Sequence, residues 1–388
     1  MIEGGSAGCL TSVRHEAERS NAPGRIRTCD LALRRRALYP LSYGRGRFSL
    51  ATMEIGARVV TIPLAETFVI ARDSTDEVEL CQVEVRHEGL AGFGEAAPIE
   101  RYGESAESAR AYVEEYAPLL GDDPWSLDEV HERLPRREFA ARAALDAALH
   151  DLCGKLAGVP VWKLLGLRRA GPPTSWTVWL GDPDEMARRA EQAAVRFRRL
   201  KLKLGGGDGL DVERVRAVRA VTDLPLQADV NEYWTLEDAL EYLPQLDLEY
   251  CEQPLPADDP AGPELKRRSP VPIYVDEDCH TLADVARCAE RAHGINIKLA
   301  KSGGIREAVR MVHAARALGL GVMLGCMVES GLSIAAGAQI ASLMDHVDLD
   351  GNLLLANDPW PGVEFTDGVQ LPSNESGLGV REAVPDPR

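Results

Sequence analysis

Three acidic residues end three consecutive strand-like segments at almost equal spacing. Asp229 ends LPLQAD, Glu252 ends LDLEYCE and Asp276 ends PVPIYVD. The intervals of 23 and 24 residues suit one strand, one helix and their loops. Because the strands of a parallel βα barrel end on one face, we expect the three carboxylates to converge there. Converging acids need a cation and oxygen ligands suit Mg²⁺, so the pattern predicts one magnesium ion in each subunit.

Lysines flank the predicted metal site. Lys201 and Lys203 lie two residues apart in RLKLKLG, so both leave one face of a strand, whereas the leucines beside them suit the face that packs on helices. Lys298 ends GINIK, roughly across the barrel. Basic groups on opposite walls can act on opposite faces of one carbon atom. The pattern indicates proton abstraction next to a carboxylate by a lysine of lowered pKa, with the metal stabilising the enediolate.

Eight strand-like segments alternate with helical sequence between about residues 171 and 355. They are TSWTVWL, RLKLKLG, LPLQADV, LDLEYCE, VPIYVDE, INIKLA, GVMLGCMVE and DHVDLD. This alternation predicts an α/β fold with a parallel barrel. Strand-like runs and then an Ala- and Leu-rich helix precede it, which favours a separate α+β domain over residues 53–170. We expect residues 356–388 to return to that first domain.

The first 52 residues differ from the rest in composition. They contain nine arginines, four acidic residues and no lysine, and they show neither a helical nor a strand period. The composition predicts disorder. The acidic residues argue against a targeting peptide. The segment instead resembles sequence upstream of the true start of translation, included because the start was assigned too early. We therefore expect the folded protein to begin at Met53.

Composition narrows the class of protein further. The net charge of −17 argues against nucleic acids and anionic membranes as partners. The eight cysteines are scattered without a CxxC pair, which favours a reduced, cytoplasmic protein. No apolar run reaches the length of about 18 residues that a membrane-spanning helix needs. These observations favour an enzyme that acts on a small molecule.

Six motifs in a fixed order resemble the muconate-lactonising branch of the enolase superfamily. They are RLKLKLG, LQADVN, YCEQPL, YVDED, NIKLAKSGGI and MVESGLSIAA, within a similarity that runs from about Met53 to about Pro372. The resemblance implies a modified TIM barrel of the (β/α)7β type. It also implies a capping domain built from the N-terminal part and the C-terminal tail. Homo-oligomers are common in this family, so we expect one here.

The resemblance also assigns roles to the acids and lysines named above. It implies that Asp229, Glu252 and Asp276 bind Mg²⁺. It further implies that Lys203 and Lys298 form the acid/base pair. The single ion and the two opposed lysines then define a 1,1-proton transfer.

A second acidic pair narrows the substrate. Asp348 and Asp350 share one face of the last predicted strand in DHVDLDG, and a substrate ammonium would relieve their repulsion. The pair resembles the signature of the dipeptide epimerases, which implies that it holds the free amino group of a dipeptide. Thr177 and Cys326 match substrate-lining positions of that family. Lys201 would hold the substrate carboxylate or lower the pKa of its neighbour.

The side chain of the substrate is less well defined by the sequence. Arg72 lies where a loop of the capping domain could reach an acidic side chain, although a salt bridge within the protein explains it equally well. Tyr233 and Trp234 bring unusual bulk beside the third strand, which could narrow the pocket or favour an apolar residue.

Three further residues receive provisional roles. Glu329 is a candidate partner of Lys298 in a second layer around the site. Lys301 and Arg306 are interpreted as solvated loop charges. No histidine lies at a strand end where it could act as the base.

The sequence therefore predicts an isomerase, a Mg²⁺-dependent dipeptide epimerase that inverts the α-carbon of the C-terminal residue. A cycloisomerase or syn-eliminating lyase of the same branch remains an alternative, since it needs the metal and one lysine but no ammonium site. An N-acyl amino-acid racemase is a second alternative, although its blocked substrate gives the two aspartates nothing to bind. A metal-dependent protein without catalytic activity is a third.

Overall fold

The computed structural model describes residues 52–383. The expectations of disorder and of a later start concern a segment that, apart from its last residue, lies outside the described residues. Among the described residues, no helix is both long enough and apolar enough to span a membrane.

The chain begins with an antiparallel sheet and a group of helices. The strands are β1 (Glu54–Ile70), β2 (Asp73–His87) and β3 (Leu90–Ala96), paired in that order. The helices are α1 (Ala106–Tyr116), α2 (Leu127–Arg133), α3 (Phe139–Ala157) and α4 (Val161–Leu164). The turn between β2 and β3 uses Glu88 and Gly89, both with positive φ, as a tight hairpin between twisted strands requires.

Helix α3 packs directly on β3 because two glycines leave room for it. A Cβ atom on Gly92 would lie 2.1 Å from the carbonyl oxygen of Ala148, and one on Gly94 would lie 2.0 Å from that of Ala144. The segment GFG therefore lets helix and sheet approach each other more closely than larger residues would allow. The alanine-rich sequence of α3 is the matching feature, since small side chains suit a helix buried on nearly every side.

Eight parallel strands follow and form one sheet in sequential order. They are β4 (Trp176–Val178), β5 (Leu200–Lys203), β6 (Leu226–Asp229), β7 (Cys251–Glu252), β8 (Ile273–Val275), β9 (Gly294–Lys298), β10 (Gly321–Gly325) and β11 (His346–Val347). An isolated parallel bridge between Thr174 and Val347 joins the last strand to the first. The prediction of a modified TIM barrel with an additional α+β domain is confirmed.

Helices connect the barrel strands. They are α5 (Pro183–Ala194), α6 (Asp211–Arg219), α7 (Leu236–Tyr242), α8 (Gly262–Arg268), α9 (Val285–Arg291), α10 (Leu299–Ser302), α11 (Ile305–Ala317) and α12 (Gly331–Ala338). Short 3-10 helices occupy Glu100–Tyr102, Ala117–Leu120, Leu243–Gln245, Leu282–Asp284, Ala341–Leu343 and Gly351–Leu354. Leu200 and Leu202 of β5 pack with apolar residues of this helical layer. The alternation in RLKLKLG therefore places the lysines on the inner face.

The described C-terminal residues contain the hairpin β12 (Glu364–Thr366) and β13 (Val369–Leu371). Beyond the hairpin the chain contacts the first group of helices. Gly377 exchanges backbone hydrogen bonds with Val159 and Val161, and the Leu378 N–H donates to the carboxylate of Asp151. The exact domain boundaries at residues 170 and 355 stay a prediction.

Candidate active site

The structure brings the three evenly spaced acids together at the carboxyl ends of adjacent strands. Asp229 ends β6, Glu252 ends β7 and Asp276 directly follows β8. Asp229 is the strand partner of both Lys203 on one side and Glu252 on the other. The three acids are buried, with exposures of 0%, 0% and 3%. Three buried carboxylates this close repel one another unless positive charge compensates them.

One oxygen of each carboxylate accepts a hydrogen bond that fixes its direction. The three bonds are Asn231 N–H to Asp229 Oδ1 at 3.0 Å, Asn296 Nδ2 to Glu252 Oε1 at 2.6 Å, and Lys301 Nζ to Asp276 Oδ1 at 2.5 Å. The other oxygen of each acid is the one that faces the remaining lysines.

Two lysines reach different ends of this row of acids. Lys203 Nζ lies 2.7 Å from Asp229 Oδ2, and Lys298 Nζ lies 2.8 Å from Asp276 Oδ2. Their strands, β5 and β9, are separated by three other strands in the sheet. The two ammonium groups therefore approach the row of acids from different sides of the barrel.

Lys201 connects the row of acids to the second acidic pair. Its Nζ lies 2.7 Å from Asp348 Oδ2, 2.8 Å from Glu252 Oε2 and 3.2 Å from Asp229 Oδ2. Burial works to lower the pKa of Lys201, but these carboxylates outweigh it and raise that pKa well above its usual value. The two acidic groups are thus close enough to share one ammonium.

Opposing effects set the charges of the acids. Burial works to raise the pKa values of Asp229 and Asp276, but the neighbouring lysines outweigh it and lower both. Burial and the nearby Asp229 instead raise the pKa of Glu252. Burial would lower the pKa of Lys298, yet Asp276 and Glu252 raise it. The upward shift for Lys298 is opposite to the lowering that the sequence predicted for the catalytic base.

The chemistry of the three acids fits a hard divalent cation. Their donors are all carboxylate oxygens, which Mg²⁺ prefers. Glu252 Oε2 is buried and accepts no hydrogen bond of acceptable geometry. The lysine ammonium groups lie between the acids, and within residues 52–383 no three acidic, histidine or cysteine side chains form a ready ligand cluster. A bound cation would therefore take oxygens that the lysines contact here.

The second acidic pair has fewer positive neighbours. Asp350 Oδ2 accepts the backbone N–H of Thr177 at 2.7 Å, and Asp348 contacts Lys201 while its Oδ1 has no hydrogen-bond partner. Burial and Asp348 raise the pKa of Asp350 to about 7. Cys326 is close to the pair, since both aspartates contribute to the raised pKa of its buried thiol. We name Asp348 and Asp350 the aspartate pair.

Arginines of the first domain lie over the mouth of the barrel. Arg72, in the turn between β1 and β2, places Nη1 2.8 Å from Glu277 and 3.5 Å from Glu232. Arg101 forms two hydrogen bonds of 2.9 Å with Glu232. Burial and Asp276 raise the pKa of Glu277 to about 7. The salt-bridge alternative for Arg72 is therefore present in the structure.

Lys301 is not solvated, so that interpretation was wrong. It is 1% exposed, and its ammonium contacts Asp276 and the carbonyl oxygen of Asn296. Arg306 is half-buried and pairs with Asp128 of α2. The sequence reasoning also missed Asn296, although it precedes Lys298 by two positions and therefore shares its face of the strand.

The two aromatic residues beside β6 do not act together. Trp234 is buried in the helical layer and donates from Nε1 to Asp211 at 2.8 Å, so the expectation that its bulk narrows the pocket was wrong. Tyr233 is half-exposed and packs on a glycine loop. A Cβ on Gly207 would lie 2.2 Å from the Tyr233 hydroxyl, and one on Gly205 would lie 2.7 Å from its Cβ. Gly205 and Gly207, in the loop after β5, thus accommodate this ring.

Glu329 belongs to a buried pair of acids behind the site. Burial and Glu95 raise its pKa to about 8, and burial raises the pKa of Glu95 to about 7. The hydroxyl and N–H of Ser330 both donate to Glu95. Lys298 is near enough to offset part of the shift of Glu329. Its role as a partner of Lys298 stays a prediction.

An α+β domain, a parallel barrel, and acids and lysines at its strand ends together define a class of enzyme. Residues 53–166 match the N-terminal domain of mandelate racemase and muconate lactonizing enzyme, and residues 185–383 match the enolase C-terminal domain-like family. The chain belongs to the mandelate racemase and muconate lactonizing enzyme family of the enolase superfamily.

Named relatives share most of the chain. The L-Ala-D/L-Glu epimerase of Bacteroides thetaiotaomicron is 37% identical over 330 residues, which are 82% of this chain and 85% of that protein. The hydrophobic dipeptide epimerase of Roseobacter litoralis is 39% identical over 76% of this chain and 90% of that protein. The dipeptide epimerase of Enterococcus faecalis V583, solved with Mg and L-Leu-L-Tyr, has a TM-score of 0.81 and 30% identity, and the match covers 85% of this chain and 99% of that chain.

Proposed function

We propose that this protein is a Mg²⁺-dependent dipeptide epimerase that transfers a proton at the α-carbon of the C-terminal residue. One observation carries the proposal: a single ammonium, that of Lys201, lies between a row of three acids and the aspartate pair. A free dipeptide has an anionic and a cationic end. Two acidic groups at this separation can bind both ends, the first through a cation and the second directly.

Two lysines are the proposed acid/base pair. Lys203 and Lys298 come from strands on different sides of the barrel, so they can face opposite sides of one carbon. One lysine removes the α-proton, and the other donates a proton to the opposite face, which inverts the centre. Lys201 holds the substrate carboxylate. Each transfer needs one neutral and one protonated lysine, so the pair is ready for the reverse reaction after one turnover.

The metal site of the proposal consists of Asp229, Glu252 and Asp276, with one ion in each subunit. Mg²⁺ held by these acids would supply positive charge next to the substrate carboxylate, and it would compete with Lys298 for the oxygens that raise the pKa of that lysine. The acids fit this role because they are buried, carry oxygen donors and each direct one oxygen at an ammonium group of the site, where a cation can replace it.

The aspartate pair is the proposed site for the substrate amino group. Asp350 is fixed by the N–H of Thr177, and Asp348 keeps one oxygen without a partner. A substrate ammonium can therefore bind between them without breaking the bond to Thr177. Cys326 lies beside this pair and is proposed to line the same pocket.

An acidic side chain on the second residue is the proposed preference. The contacts of Arg72 with the described residues all use Nη1, so Nη2 and Nε remain available to hold a carboxylate. A bidentate arginine-carboxylate pair is the strong form of this interaction. Relatives named for L-Ala-D/L-Glu and for hydrophobic dipeptides both match this chain, so the side chain needs a direct test.

The cell compartment and assembly belong to the same proposal. The cysteines in the described residues carry free thiols, which a reducing cytoplasm maintains. We expect the enzyme to work there as a homo-oligomer on a small substrate, with neither nucleic acid nor membrane as a partner.

The experiment is a deuterium-exchange screen of a dipeptide library in D2O, read by mass spectrometry and by NMR of the diastereomers. The wild-type enzyme should exchange the α-proton and epimerise the second residue. Lys203→Ala and Lys298→Ala should each lose epimerisation, because one face of the carbon lacks its proton donor or acceptor. Each should retain exchange of the diastereomer that the remaining lysine faces.

The controls separate the alternatives. Lys163→Ala, an exposed lysine on α4, should leave both readouts unchanged. Epimerisation at the wild-type rate in Lys298→Ala would disprove the two-base proposal. Exchange of N-acyl amino acids without exchange of free dipeptides would favour the racemase. A lack of α-proton exchange with either substrate would favour a lyase or a cycloisomerase.

A further inference from the structure

One lysine near the site has all its donors occupied by the protein. Lys301 lies on α10, three residues after Lys298, and its side chain has no exposed surface. Its Nζ lies 2.5 Å from Asp276 Oδ1, 2.6 Å from the Asp276 carbonyl oxygen and 2.8 Å from the Asn296 carbonyl oxygen. An ammonium has three donors, so these acceptors satisfy all of them. Lys301 is therefore held in place and has no N–H to offer a substrate.

Asn296 extends the same network to a second acid. It lies on β9 with no exposed surface, and its Nδ2 donates to Glu252 Oε1 at 2.6 Å. Its backbone carbonyl accepts the bond from Lys301. The segment from Asn296 to Lys301 thus reaches back to Glu252 at the end of β7 and to Asp276 just after β8.

We infer that Asn296 and Lys301 are positioning residues that fix the directions of Glu252 and Asp276 for the metal. The inference rests on the metal role proposed above. In each acid the network occupies one oxygen, Oε1 of Glu252 and Oδ1 of Asp276, and leaves the other to face the site. The other oxygens face lysines of the site: Glu252 Oε2 lies 2.8 Å from Lys201 Nζ, and Asp276 Oδ2 lies 2.8 Å from Lys298 Nζ.

Stability alone does not explain the network. A buried ion pair can often be replaced by apolar residues of similar size without loss of stability. What apolar residues cannot do is orient a carboxylate. Outer partners that orient metal ligands affect metal affinity by roughly 10- to 100-fold. The geometry of donor and acceptor within this segment, rather than its charge, is therefore the feature that acts on the metal.

Calorimetric titration of the metal-free protein with MgCl2 and with MnCl2 tests the inference. Lys301→Met and Asn296→Ala should each raise the dissociation constant for the metal by about 10- to 100-fold. Lys266→Met is the matched control, because Lys266 also donates to a backbone carbonyl, that of Ala289 at 2.6 Å, but lies on α8 outside the site. Its metal affinity should equal that of the wild-type protein.

A second readout excludes a merely structural role. The Mg²⁺ concentration for half-maximal activity should rise in both variants in parallel with the calorimetric constant, while the KM for the dipeptide at saturating Mg²⁺ stays unchanged. A structural role would lower the melting temperature without moving the metal constant.

The outcomes separate this inference from the proposed function. If the wild-type protein binds neither cation, the metal role is wrong and the inference falls with it. If the wild-type protein binds metal and both variants bind it equally well, only the positioning inference is overturned. If Lys301→Met does not fold, Asn296→Ala, which removes no charge, decides alone.

Discussion

The two acidic groups at the barrel mouth differ in how much positive charge the protein gives them. In the row of three acids, which we name the metal row, lysines lower the pKa values of Asp229 and Asp276 against the effect of burial. In the aspartate pair, burial and mutual repulsion raise the pKa of Asp350 to about 7. The first group therefore keeps its aspartates ionised, as metal ligands must be. The second becomes fully charged only at higher pH or when a cation arrives.

This difference determines which kind of ligand each acidic group can bind. Ionised aspartates held in fixed directions suit a cation that stays through many turnovers. A pair that is short of positive charge favours a ligand that brings its own, such as a substrate ammonium. The three remaining predictions use this contrast, beginning with the largest expected effect.

The largest effect should come from removing a charge in the metal row. Glu252→Gln should lower kcat/KM by at least about 10³-fold for every dipeptide, because loss of the metal removes several kcal/mol of transition-state stabilisation. Steady-state kinetics over the library measure this. Glu249→Gln is the control, since Glu249 precedes β7 and pairs with Arg199 away from the site. A Glu252→Gln enzyme that loses activity only with free dipeptides would contradict the assignment of different ligands to the metal row and the aspartate pair.

Removing a charge from the aspartate pair should reduce activity toward free dipeptides selectively. Asp350→Asn should lower kcat/KM for free dipeptides by roughly 30-fold or more, since removing one partner of a buried charge pair costs about 2 kcal/mol or more. Activity toward N-acetyl dipeptides should stay as low as in the wild-type enzyme, so the preference for a free amino group shrinks. Asp345→Asn changes a carboxylate that precedes β11 and pairs with Arg316 of α11, and it should leave that preference intact.

The smallest effect concerns pH. A carboxyl group is neutral below its pKa, so Asp350 should lose its attraction for the ammonium as the pH falls through about 7. The kcat/KM for a free dipeptide, which reports the free enzyme, should therefore decline below that pH by up to about tenfold per unit. The Asp350→Asn profile should lack this decline. Superimposable profiles for the two enzymes would show that Asp350 does not titrate in this range.

The sequence predicted the arrangement of strands and acids well, and the reason is periodicity. Acids that end apolar runs at βα intervals must meet, because parallel strands share a direction. The alternation of lysine and leucine in β5 likewise predicted which face is buried against helices. The family and the epimerase class are confirmed by the comparisons, whereas the individual roles of the site residues stay predictions.

The residues that sequence reasoning placed wrongly are those whose surroundings come from distant segments. Lys301 looks solvated because a charged residue usually is, and its burial depends on α10 folding back against Asp276. Trp234 looks like a pocket residue because it follows β6, which carries Asp229. Its indole instead donates a hydrogen bond to Asp211 within the helical layer. Both contacts join segments whose proximity no periodic pattern in the sequence predicts.

The hydrogen bond between Thr177 and Asp350 has a consequence for the order in which the site forms. It joins residues 173 positions apart, one on the first strand of the barrel and one just after the last. During synthesis the three acids and the residues that orient Glu252 and Asp276 are all present once α10 has left the ribosome, but the aspartate pair has no backbone anchor until Asp350 meets β4. A nascent chain can therefore acquire its metal ligands well before it acquires the ability to recognise a substrate. Selectivity is the last property that this fold gains.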